Sequence, residues 1–251
     1  MEEVIIQIFF ATIIGGLLGS IIGLGGGFII VPFLTLIVGL PIKMAIPISL
    51  LSIVVISLSA TSIYAPNGRV NFRAGIILES TMALGAVIGA NINLMIDERY
   101  LYVMFALLLL YVSYRMYTGT SRIGGGGMLS GSMELALTLS FLGGILSALL
   151  GIGGGLINIP ILVLIFGLPM ETAIGTSLFI ISLTSMTSTF IYLIKGALNV
   201  MYGSAGVLGA YIGSQLGSRL GLRLKAETLR RLFIIVLIVF SYLMLSKGLG
   251  V

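Results

Sequence analysis

Two runs of three consecutive glycines, Gly25-Gly26-Gly27 and Gly153-Gly154-Gly155, stand inside otherwise apolar sequence, and each is followed at the same distance by a proline, Pro32 and Pro160. Three glycines in a row break a helix instead of packing one, because glycine accepts positive φ and has no side chain to shield its N–H. A helix that restarts directly after such a break presents free N–H groups and the positive end of its dipole. That is the chemistry of anion binding by backbone, which needs no buried arginine. Both prolines are expected in the first turn of the restarted helix, where a missing N–H costs least. Ser49, Thr176 and Ser177 fall a turn into the apolar run after each break, where a hydroxyl can reach the same ligand. Asn158 follows the second triplet by three residues, at the place where the first has Ile30. Glu79 is the one acid within an apolar run and is a candidate for proton coupling, against the plainer reading that it snorkels to the interface. The hydroxyls have a plain reading too, since Ser and Thr in apolar helices bond back to their own carbonyls.

Other chemistries are closed by what is missing. The chain has no Cys and no His, which removes thiol chemistry, disulfides and the usual transition-metal ligands, so neither a metal nor a cofactor is expected. Of its 251 residues 58% are hydrophobic and 8% charged, and the mean hydropathy is +1.22. A soluble domain carries about 25% charge, so this is an all-α integral membrane protein. The start, Met1-Glu2-Glu3, lacks the basic residues of a cleavable signal. Expected partners are the lipid bilayer and a small anion; no nucleic acid is expected, and assembly into a homo-oligomer is compatible with the sequence. The four consecutive glycines Gly124–Gly127 within Gly119–Gly131 resemble a phosphate loop, but no strand precedes them and no Lys-Ser/Thr follows, so the segment reads as a linker.

The elements that must position the glycines are duplicated. The string Ile14–Leu40 returns 128 positions later as Leu142–Leu168, and Gly15–Leu50 matches Gly143–Leu178 at 19 of 36 positions without a gap. The halves are residues 1–118 and 132–251, joined by the 119–131 linker. In the first, an apolar run Val4–Leu24 precedes the break, a short arm Phe28–Leu40 follows it, and three plain spans cover about Lys43–Ala65, Phe72–Ile96 and Tyr100–Tyr117. The second repeats this order with Leu135–Leu150, Leu156–Leu168, Thr172–Ile194, Asn199–Leu220 and Leu232–Leu245. A short arm of about 20 Å cannot comfortably cross a ~30 Å hydrocarbon core. Each half is therefore a glycine-broken re-entrant helix pair plus three transmembrane helices, for about eight to ten membrane segments in all. Gly85 and Gly89, like Gly213 and Gly217, have the four-residue spacing of close helix packing in lipid, which also accounts for Gly15 and Gly19.

The positive charges select the topology. If each broken pair turns back, Arg69, Arg73, Arg115, Arg122, Arg219, Arg223, Lys225, Arg230 and Arg231 lie on one side, and Lys43, Arg99, Lys195 and Lys247 on the other. Nine against four is a cytoplasmic bias; a single crossing per pair gives seven against six. The halves are then inverted, the linker is inside and both termini lie outside the cell membrane. Inverted repeats with interrupted helices are a plan of secondary transporters, with the ligand near the midplane where the breaks meet.

Both copies of G-x-G-G-G-x-x-x-x-P, each followed by G-L-P and an A-I-x-x-S-L segment, closely resemble the TauE/SafE family, also called the sulfite exporter or TSUP family of membrane anion permeases. The matching residues are Gly23, Gly25–Gly27, Pro32, Pro41, Ala45 and Ser49, then Gly151, Gly153–Gly155, Pro160, Pro169, Ala173, Thr176 and Ser177. The family's Gly-Thr-Ser signature stands at Gly175-Thr176-Ser177, whereas the first half has Pro47-Ile48-Ser49 and lacks one hydroxyl. The resemblance implies transport, in the export direction, of small sulfur-containing anions such as sulfite, organosulfonates or sulfonated carboxylates. The residues alone leave open a channel-like pore, which also uses half-helix dipoles, and an intramembrane enzyme, for which no base and nucleophile pair can be assigned. The expected substrate site is Gly25, Gly26, Gly27, Ser49, Gly153, Gly154, Gly155, Asn158, Thr176 and Ser177.

Overall fold

The computed structural model describes residues 2–117, 133–223 and 227–250, and the Gly119–Gly131 linker lies outside the described residues. The described chain is helical throughout. In the first half α1 (Glu2–Ile22) leads through the glycine turn into α2 (Gly27–Pro32), which continues as a π-helical turn over Phe33–Ile37. Then come α3 (Ile42–Tyr64), α4 (Phe72–Met95) and α5 (Glu98–Tyr117). The second half follows the same order with α6 (Met133–Leu150), α7 (Gly155–Leu164), α8 (Met170–Ile194), α9 (Val200–Gly221) and α10 (Glu227–Leu249). Among the described residues five helices, α1, α3, α4, α6 and α8, are long and apolar enough to cross a membrane.

The short arms are shorter than the apolar runs that contain them. Gly39 (φ 78°) and Gly167 (φ 66°) take the left-handed conformation. With Leu40 N donating to Leu34 O at 2.9 Å and Leu168 N to Leu162 O at 3.0 Å, they close the arms early. The ten residues of α7 make about 15 Å of helix, half of a ~30 Å core. The prolines are not where the sequence places them. Pro32 and Pro160 are the sixth residues of α2 and α7, past the first turn, so each removes an i→i−4 hydrogen bond. In the first half the ladder then relaxes into the π turn, with Phe33 N donating to both Ile29 O and Ile30 O.

Glycine rows decide how the halves fit together. A Cβ on Gly209, Gly213 or Gly217 of α9 would strike the carbonyls of Phe9, Ile13 and Leu17 on α1, so these two helices run parallel at backbone contact. The counterpart pair is α4 with α6, where Gly85 and Gly89 face the carbonyls of Phe141 and Ile145. Each half thus packs its first helix on the fourth of the other. Gly15 and Gly19 serve differently: they admit the first half's own short arm, Gly15 meeting Ile30 and Gly19 meeting the backbone of Gly26. The fifth helices, α5 and α10, pair through Arg99 Nε to Gly248 O (3.0 Å) and Ser241 Oγ to Ala106 O (2.7 Å). At the centre α3 and α8 cross antiparallel: the end of α3, at Tyr64, lies at Gly175 near the start of α8, while Ile53 and Ile181 meet at mid-helix. Asn71 and Asn199 cap α4 and α9 from equivalent places, accepting from Ala74 N and Tyr202 N.

Candidate functional site

Each break is a tight glycine turn with the same dihedral plan. Gly23, Gly25 and Gly26 have φ of 81°, 81° and 89°, and Gly151, Gly153 and Gly154 have 71°, 83° and 79°. A side chain at any of them would be strained. The turn is gathered on one carbonyl at the end of the long arm: Gly19 O accepts from Gly23 N, Leu24 N and Gly25 N, and Ser147 O accepts from Gly151 N and Ile152 N. Gly26 and Gly154 are the N-caps of α2 and α7, with no side chain capping either helix.

The two turns meet. A Cβ on Gly27 would lie 2.8 Å from Ile152 Cα, and one on Gly155 would lie 2.6 Å from Gly23 O and 2.8 Å from Leu24 Cα. Two isoleucines stand between the turns: Cβ atoms built on Gly25 and Gly153 would each lie about 3 Å from both Ile53 and Ile181. These residues are 128 apart, as are the two glycines, so equivalent isoleucines face equivalent turns. Beside it, α5 closes an apolar void lined by Leu24, Phe28, Leu108, Val112, Ile152 and Leu156. The place where the helix starts converge is filled with hydrocarbon.

The expected hydroxyls are near this point but engaged. Ser49 Oγ donates to Gly151 O, and its counterpart Ser177 Oγ donates to Gly23 O, both at 2.9 Å. Each therefore holds the other half's turn. Thr176 donates to Thr172 O (2.6 Å) and accepts from Asn71 N (2.8 Å), which turns it toward the α3–α4 connection. In the first half its place is taken by Ile48, which is why only one connection is fastened in this way. Asn158 is wholly buried on α7, and neither its Nδ2 nor its Oδ1 has a partner among the described residues. Glu79 does not snorkel: it is 7% exposed, and Thr184 Oγ1 on α8 donates to its Oε2 at 2.6 Å while Oε1 has no partner among the described residues.

Sequence reasoning missed four participants. Ile53 and Ile181 look like ordinary core residues until the two turns are seen against them. Thr184 is one of many hydroxyls on α8, and nothing in the sequence pairs it with Glu79, 105 positions away. Ser147 is buried with an unpartnered Oγ and lies beside Gly154. The duplication carries a signal for it, since Gly19 stands at the equivalent place.

A family model described as "Sulfite exporter TauE/SafE" matches residues 8–244. The chain is 31% identical to "Probable membrane transporter protein YunE" of Bacillus subtilis, over 94% of this chain and 95% of that protein. It is 29% identical to a "Probable membrane transporter protein" of Xylella fastidiosa, over 71% of each chain. A further probable membrane transporter, from Methanocaldococcus jannaschii, is 29% identical over 74% of this chain and 72% of its own length. No solved structure matches.

Proposed function

The chain belongs to the sulfite exporter TauE/SafE family of membrane proteins, and from that membership we propose a secondary transporter that exports small sulfur-containing anions such as sulfite, organosulfonates or sulfonated carboxylates. The observation that carries the reading is the interlock of the two glycine turns, which brings the starts of α2 and α7 from opposite halves to one point. Uncapped helix starts favour negative charge, and a low-dielectric surrounding strengthens that attraction. The antiparallel crossing of the equivalent helices α3 and α8 supports an inverted repeat, with the equivalent Ile53 and Ile181 facing the turns. The isoleucine packing between the turns supports a carrier over an open pore, since an anion can pass only if the halves move.

In this reading the anion sits near the midplane against the backbone of Gly25–Gly27 and Gly153–Gly155, and Ser49 and Ser177 keep those turns in shape by tying each to the opposite half. Glu79 is the proton carrier: its unpartnered oxygen is a place for a proton that enters or leaves with the substrate cycle. The protein lies in the cell membrane with both termini outside, in keeping with the nine-to-four distribution of basic residues. Proteoliposomes loaded with radiolabelled sulfite test the function. Protein-dependent efflux that methanesulfonate inhibits and chloride does not is the expected result; efflux no faster than from empty liposomes refutes it.

A further inference from the structure

The duplication departs from itself around the second turn. At the same 128-residue offset, in which α4 and α9 exchange roles, the first turn's Gly19 and Ile30 with Ala210 of α9 correspond to the second turn's Ser147 and Asn158 with Met82 of α4. The first set closes its turn completely. Gly19 lies on the backbone of Gly26, and Ile30 fills the space over Gly15. The second set leaves polar atoms unmet. Ser147 Cβ and Oγ lie 3.4 and 3.6 Å from the position a Cβ on Gly154 would take, so the hydroxyl stands directly beside the N-cap of α7. Asn158 is one turn further along the same helix, where side chains lean back toward the N-terminus. Both residues are 0% exposed, and Ser147 Oγ, Asn158 Nδ2 and Asn158 Oδ1 have no hydrogen-bond partner among the described residues.

Buried polar groups in native proteins are almost always bonded, so the unmet atoms of Ser147 and Asn158 along the first turns of α7 mark a place for a polar ligand. The first N–H groups of a ten-residue helix with a glycine N-cap add further donors there. The set is dominated by neutral donors, which suits a small oxyanion with at least two acceptor oxygens. The terminal methyl of Met82 lies over Gly154. A methionine end is flexible and apolar, able to swing aside; at the equivalent place on α9, Ala210 has no such reach.

We propose that the anion is bound on one side only, by Ser147, Asn158 and the first N–H groups of α7 beneath Met82, while the first-half turn is a packed abutment. This inference rests on the anion-transport reading above and moves its site from the symmetry axis into the second half.

Thermal unfolding of the purified full-length protein with and without saturating sulfite or methanesulfonate is the test, because a ligand bound only by the native state raises its melting temperature. The wild type should show an upward shift. Asn158→Leu and Ser147→Gly, which copy the apolar character of the first half, should melt no lower than wild type without anion, since they remove unpartnered groups, and should lose most of the shift through at least a tenfold weaker affinity. Ile30→Val, in the abutment, should keep the full shift. Met82→Ala should enlarge it by vacating the space over Gly154. A wild-type shift retained in both Asn158→Leu and Ser147→Gly overturns the one-sided site while leaving anion binding intact. An Asn158→Leu protein that melts lower without anion also overturns it, by giving the amide a structural role. No shift in the wild type with either anion overturns this inference together with the functional reading.

Discussion

Ser49 on α3 hydrogen-bonds the carbonyl of Gly151 in the other half at 2.9 Å. Together with its counterpart, Ser177 on Gly23, this bond makes the two halves a reciprocal clasp. Neither hydroxyl is free for a ligand, so substitution should be read first in stability. Ser49→Ala leaves a buried carbonyl without its donor and is expected to cost about 1–3 kcal/mol, and Ser177→Ala the same. The two bonds close one interface, so the double mutant should depart from additivity by at least about 0.5 kcal/mol in denaturant unfolding. Strict additivity would mean that the clasps act separately.

The two N-cap glycines should respond unequally to the same change. Gly26 and Gly154 share a left-handed φ of 89° and 79°, so alanine at either pays roughly 1–2 kcal/mol of backbone strain. Beyond that, the new methyl at Gly26 meets the Gly15 carbonyl, whereas at Gly154 it meets the movable end of Met82. Gly154→Ala should fold with a modest loss, and Gly26→Ala should lose several times more or fail to accumulate in the membrane. Expression and melting temperature decide it; equal losses would deny the asymmetry.

Thr176→Ala should behave as a structural change. Thr176 accepts from Asn71 N at 2.8 Å, so its removal leaves that amide unmet at the head of α4 and should cost on the order of 1–3 kcal/mol. Thr176→Ser keeps the acceptor and should restore most of it. A Thr176→Ala protein with unchanged melting and weakened anion affinity would return the hydroxyl to the ligand.

Glu79→Gln preserves an acceptor for Thr184 and should fold normally. If Glu79 carries the coupled proton, the variant in proteoliposomes should lose uphill transport driven by a pH gradient while keeping downhill exchange. Gradient-driven accumulation at the wild-type rate would remove Glu79 from the coupling path.

Orientation can be read chemically because the chain has no native Cys. Asn67, after α3, and Lys195, after α8, follow equivalent helices that cross antiparallel, and both side chains are exposed. In intact cells an impermeant thiol reagent should label Lys195→Cys and spare Asn67→Cys. The reverse pattern would invert the proposed topology, and labelling of both would place the two turns on the same face.

Much of this protein is set by local chemistry and is legible without coordinates. Apolar runs long enough to span, glycine triplets that no helix can absorb, and a 128-residue repeat fix the helical membrane class, the order of elements and the two breaks, because each depends on neighbours in sequence. Helix ends were less legible: the short arms stop early at Gly39 and Gly167, and the prolines fall a turn later than their usual place at a helix start. What only the tertiary structure decided is the fate of each polar group. Ser49, Ser177 and Thr176 looked like ligands because a hydroxyl near a helix break can serve either a substrate or a backbone, and only the approach of Gly151, Gly23 and Asn71 from far along the chain assigns them to the backbone. Asn158 and Ser147 differ from them for the same reason seen in reverse, since the described residues of the packed halves bring their side chains no partner. Hydrogen-bond satisfaction is a property of the assembled interior, and no spacing of residues along one segment encodes it.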